Sequence, residues 1–102
     1  MNKIIYLLLF ILINTSLMAE DGKKVFETYC WGCHHQTAEA FGPSFKEIAS
    51  KRSIEEIRAM IISPKEVSKI LGYKRNAMPP FQLSDNNLTA IITYITQIEE
   101  RK

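Results

Sequence analysis

The sequence predicts an all-α fold, and three observations carry that prediction. Apolar residues recur at three- and four-residue spacing over 54–61 and 88–98, the pattern of helices with one buried face. A serine stands at the start of both segments, Ser53 and Ser84, where its hydroxyl can accept an unpaired backbone N–H. No segment shows the apolar–polar alternation of a half-buried strand. The 102 residues suffice for one domain, and their 46% hydrophobic and 24% charged content excludes wholesale disorder. A net charge of +2 is too weak to argue for nucleic acid, and two cysteines exclude a disulfide-dense scaffold.

Residues 1–19 read as a secretory signal peptide. Met1-Asn2-Lys3 gives a basic start, Ile4 to Ile13 is an unbroken apolar run, and Ala19 supplies a small residue at the end. Ten apolar residues fall short of the roughly 20 that a membrane-spanning helix needs, which disfavours an uncleaved anchor. Leu17 matches the small-residue rule poorly, so the cleaved bond is not fixed by the sequence. Cleavage after Ala19 leaves a single domain, 20–102, exported to an oxidising compartment. A domain of this size has a small core and gains from a staple or cofactor.

Within that domain, Asp21 to about Cys30 is predicted to be a short helix, with Asp21 as its N-cap. Ser53-Ile54-Glu55-Glu56 is a capping box, and Ile54, Ile57, Met60 and Ile61 follow at helical spacing. Ser63-Pro64 ends this helix, and a shorter one runs from Pro64 to Leu71 with Gly72 as its stop. Tyr73 to Phe81 is a loop containing Pro79-Pro80. The last helix starts at Ser84, with Leu83 and Leu88 placed as a hydrophobic staple. Leu88, Ile91, Ile92, Ile95 and Ile98 form its buried stripe.

The chemistry is concentrated in Cys30-Trp31-Gly32-Cys33-His34. C-x-x-C-H is the covalent attachment pattern of c-type haem. Two thiols three residues apart reach the two vinyl groups of one porphyrin, and the next residue offers an imidazole to the iron. A structural zinc site needs four ligands, and adjacent His34 and His35 complete a tetrahedron poorly with a tight C-x-x-C. A thioredoxin-like redox pair needs a βαβ context, for which the sequence gives no sign. A disulfide across two residues closes too small a loop to stabilise much.

A six-coordinate iron needs a second axial ligand, and Met60, Met78 and His35 are the candidates. Met60 falls in the helical stripe and reads as core filler. His35 adjoins the proximal ligand and cannot easily reach the opposite face. Met78 lies 44 residues beyond His34, in a loop stiffened by Pro79-Pro80, and is the favoured ligand.

With these residues in place, the chain resembles the class I monohaem bacterial cytochromes c from Gly22 to about Ile98. Gly22, Phe26, C-x-x-C-H, Gly42-Pro43, Met78-Pro79 and Tyr94 fall in that family's order. The resemblance implies a cytochrome c fold, three to five helices wrapped around one covalently bound haem. It implies that Gly22 and Phe26 pack the first helix on the last at Tyr94. It further implies that the Pro43 carbonyl accepts the Nδ1–H of His34, and that Met78 is the distal ligand. Gly42-Pro43-Ser44-Phe45 and the Met-Pro-Pro-Phe loop also resemble, more loosely, the small monohaem subunit of thiosulfate-oxidising complexes.

The expected function is that of a periplasmic one-electron carrier in a Gram-negative bacterium, with no catalytic acid, base or nucleophile. The cofactor-binding residues are Cys30, Cys33, His34, Met78 and Pro43, and the iron ligands are His34 and Met78. The alternatives are an electron-transfer subunit of a larger oxidoreductase complex and a haem-based ligand binder or peroxidase-like site. Residues 42–81 carry net +4, the flanks −2 and −1, so a basic rim is expected to steer acidic redox partners. Lys74 and Arg75, with Tyr73 or Trp31, are the side chains placed to meet haem propionates. Nucleic acid and stable membrane insertion are not expected, and the mature protein is expected to be a monomer.

Overall fold

The computed structural model describes residues 21–98, so the predicted signal peptide lies outside the described residues. Five helices account for the architecture, and among the described residues there is no strand. Helix α1 runs through 21–25 and widens into a π-helical turn at Phe26–Cys30. Helices α2 (Phe45–Lys51), α3 (Ile54–Ile62), α4 (Pro64–Ile70) and α5 (Asp85–Gln97) follow. No helix among these residues is long and apolar enough to cross a membrane.

The core gathers on α5. Leu88, Ile91, Ile92, Tyr94, Ile95 and Ile98 are buried against Val25 and Phe26 of α1, Phe45 of α2, and Ile57 and Ile61 of α3. Full burial of one such side chain contributes roughly 1.5–3 kcal/mol, so this cluster dominates the packing of so short a chain. Gly22 is where α1 approaches α5 most tightly. A Cβ there would meet the Ala90 carbonyl oxygen at 2.5 Å and Tyr94 Cβ at 2.8 Å. Phe26 then stacks on Tyr94 at 5.5 Å and tilts against Phe45 at 5.1 Å. The contact implied between the first and last helices is therefore present.

The predicted serine caps of α3 and α5 are also formed. Ser53 accepts the Glu56 N–H at 3.2 Å and Glu56 accepts the Ser53 N–H at 2.9 Å. Ser84 accepts the Asn87 N–H at 3.2 Å and opens α5. Leu88 is buried and Leu83 packs half-buried against the same core, as a staple requires. Pro64 begins α4, and Gly72, at φ 85°, turns the chain out of it.

Four details depart from the sequence reading. Asp21 already lies inside α1 and is not its cap. The end of α1 is a π turn, closed by Trp31 N–H on the Phe26 carbonyl at 2.9 Å. Helix α2 was not expected, although Ser44 accepts the Glu47 N–H at 3.1 Å and starts it in the ordinary way. In α3 the buried line is Ile57 and Ile61, while Ile54, at the first helical position, is 50% exposed. Met60 is only half-buried. It precedes Ile61 by one residue, about 100° around the helix, which turns it off the buried line.

Candidate functional site

The π turn delivers the C-x-x-C-H motif. Cys30 is its last residue, and the His34 and Cys33 N–H groups both bond the Cys30 carbonyl, at 2.8 and 3.1 Å. The motif is thus wound into tight turns at the end of α1. Cys30 is half-buried and Cys33 exposed. Burial, with the neighbouring Cys33 second, pushes the Cys30 thiol up to about 11. A thioredoxin-like pair needs a βαβ setting, and there is no strand among the described residues.

The loop from His34 to Ser44 folds back on the motif. Gly42 N–H bonds the Cys33 carbonyl at 2.6 Å, and the His35 and Gln36 carbonyls accept the Phe45 and Lys46 N–H groups at 2.9 Å each. These bonds satisfy the first donors of α2 and bring Pro43 beside His34. The Pro43 carbonyl lies 2.7 Å from His34 Nδ1. A carbonyl can only accept, so Nδ1 carries the proton and a neutral ring presents its lone pair at Nε2. Gly42 makes this approach possible, because a Cβ there would lie 2.6 Å from His34 Cε1. Phe45, which sequence reasoning missed, packs its ring 5.4 Å from the imidazole. The Ser44-x-x-Glu47 cap signals the start of α2 but not this contact. His35 is half-buried, with its ring edge-on to Trp31 at 6.1 Å.

Met78 lies in the segment between α4 and α5, half-buried against the same core that Cys30 touches. The Asn76 side-chain oxygen accepts the Met78 N–H at 3.2 Å. Three residues on, Phe81 donates its N–H to the Ile61 carbonyl at 3.0 Å and sets its ring 5.8 Å from Tyr29. Tyr29 immediately precedes Cys30, so this contact links the methionine segment to the cysteine motif. Tyr73 is engaged by Arg52 at its hydroxyl and ring face.

The possible donors are two thiols and an imidazole at one helix end, with the Met78 thioether on a segment packed against the same core. Among the described residues, no three His, Cys, Asp or Glu converge as a metal-ion site, so the zinc reading finds no geometry there. The His34 ring, bonded at Nδ1 to the Pro43 carbonyl and seated in the space Gly42 leaves, suits an axial ligand of haem instead.

A family model for cytochrome c matches residues 19–99. The chain belongs to the cytochrome c family. Cytochrome c from Rhodothermus marinus superposes with a TM-score of 0.72 at 23% identity, covering 85% of this chain and 81% of that one. An engineered cytochrome c from the same organism, bound to a carbene intermediate, gives 0.69 at 25% identity, covering 84% and 80%. A search of curated proteins found no match. These findings support the broader of the two resemblances. Membership brings a covalently bound c-type haem with its iron, and electron transport as the family's general role.

Proposed function

We propose that this cytochrome c is a periplasmic one-electron carrier, with its haem attached through Cys30 and Cys33 and its iron held by His34 and Met78. The single observation that carries the reading is the 2.7 Å contact between His34 Nδ1 and the Pro43 carbonyl. That bond orients the imidazole, leaves Nε2 free to ligate and raises its basicity. When bound, haem supplies the Fe(III)/Fe(II) couple, and His/Met ligation in a buried site raises its potential.

The residues divide the work simply. Cys30 and Cys33 make the attachment permanent, which suits an exported protein that would otherwise lose its cofactor. Gly42 and Phe45 confine the His34 ring between backbone and an aromatic face. Pro79-Pro80 limits the freedom of the chain next to Met78, so a weak thioether ligand is held at small entropic cost. A bound Met78 also keeps small molecules from the iron, which suits a carrier better than a catalyst.

Oxidised and reduced spectra of the purified protein, with and without denaturant and pyridine, test the assignment. The expected result is a haem that stays with the denatured chain and shows the two-thioether pyridine spectrum. Haem that separates from the chain in denaturant overturns it.

A further inference from the structure

Residues 73–84, which carry Met78, lie outside any helix. The segment is therefore placed by what ties it down. At its far end are the Phe81 contacts with Ile61 and Tyr29. At its near end the Tyr73 N–H bonds the Ser68 carbonyl of α4 at 2.9 Å. A second tie at the near end comes from elsewhere in the chain. Arg52, between α2 and α3, points Nη2 at the Leu71 carbonyl and Nε at the Tyr73 hydroxyl, both at 3.4 Å. Its guanidinium lies 5.1 Å from the centroid of the Tyr73 ring.

Arg52 is itself held in place. Glu56 Oε1 accepts the Ser53 N–H in the capping box of α3, and Oε2 lies 3.7 Å from Arg52 Nη1. The Arg52 side chain is only 22% exposed. A run of contacts thus extends from the N-terminus of α3, through Glu56 and Arg52, to the start of the methionine segment. It uses both the planar fork and the flat face of a guanidinium, which a lysine cannot reproduce.

We propose that Arg52 is a positioning residue for the distal ligand, fixing the near end of the segment so that the Met78 sulfur is kept on the iron. The proposal rests on the reading of Met78 as that ligand. A thioether is a neutral, weak donor, so its bound fraction depends on how much freedom the segment retains. Removing Arg52 leaves the fold's core untouched and loosens one end of the segment.

The test uses the ferric holoprotein and imidazole, which enters only when the methionine has left. Its apparent affinity therefore reports the open fraction. Arg52→Ala is expected to bind imidazole about tenfold more tightly than wild type, the scale of a charged hydrogen-bonding contact. Arg52→Lys is expected to remain about threefold tighter than wild type, because it keeps the charge without the fork. Tyr73→Phe, which removes one hydroxyl, is expected to shift the affinity in the same direction and serves if Arg52→Ala does not accumulate. Ile92→Val, which trims a buried side chain of α5 away from the segment, is expected to lower stability without changing imidazole affinity.

Imidazole affinities of Arg52→Ala and Tyr73→Phe within about twofold of wild type overturn the proposal, as does an equal rise in Ile92→Val. The red-edge absorption band of sulfur-ligated ferric haem separates the two readings. Its absence from wild type overturns the Met78 assignment and this proposal together. Its presence, with imidazole affinities unmoved, overturns the role of Arg52 alone.

Discussion

Gly42 has no room for a side chain because His34 fills the space. A Cβ there would lie 2.6 Å from Cε1, 2.9 Å from Nδ1 and 3.2 Å from the Cys33 carbonyl oxygen. Gly42→Ala must push the imidazole or the loop aside, and overpacking of this kind destabilises by about 1–3 kcal/mol. The expected outcome is a lower denaturation midpoint together with a shifted redox potential, since the His34–Pro43 bond is disturbed. Denaturant titration and a redox titration of the same variant check both halves; a potential equal to wild type contradicts the role given to that bond. The C-x-x-C-H motif was legible from spacing alone. Pro43 was legible only through family resemblance, because the approach of a carbonyl nine residues away depends on the path of the loop between. Phe45 was not legible as a partner of His34, since nothing local marks a side chain that packs across a turn.

Helix starts were readable where a serine cap precedes a run of apolar periodicity. Ser53 with Glu56 and Ser84 with Asn87 both behave as their residue types dictate. Helix α2 carries the same kind of cap at Ser44, but its seven residues are too short for apolar periodicity to announce it. The π turn of α1 leaves no mark either, because one widened turn does not change which residue types occupy it. The α3 cap also makes a prediction about pH. The backbone bond from Ser53 holds the Glu56 carboxyl below its ordinary value of 4.5. A depressed folded value means stabilisation that is present above the unfolded value and lost as pH falls through the folded one. The gap in urea midpoint between wild type and Glu56→Ala is therefore expected to hold steady from neutral pH to about 4.5 and to close in more acid. A gap that stays constant into acid contradicts the cap's charge dependence.

For the molecule as a whole, fold class followed from periodicity and the absence of alternation, and the family followed from the order of a few dispersed residues. Together they suit a small core: the apolar cluster on α5, against which Cys30 and Met78 both pack, belongs to a family that adds a covalent haem. The charge distribution adds the expected basic band over 42–81, although Lys51–Glu47 at 2.9 Å and Arg52–Glu56 at 3.7 Å neutralise part of it locally. Electron transfer with an acidic redox protein is expected to slow several-fold as ionic strength rises past about 0.1 M, where the screening length is about 10 Å. Stopped-flow rates across a salt series measure this, and rates that ignore salt contradict a basic docking rim.

The central claim is that one haem, ligated by His34 and Met78, carries one electron at a time. A side-by-side equilibrium redox titration of wild type and Met78→Ala tests it most directly. A single one-electron transition is expected for wild type and a markedly lower midpoint for the variant, because loss of the thioether removes the ligand that favours Fe(II). A variant whose midpoint matches wild type would contradict the ligand assignment and the function built on it.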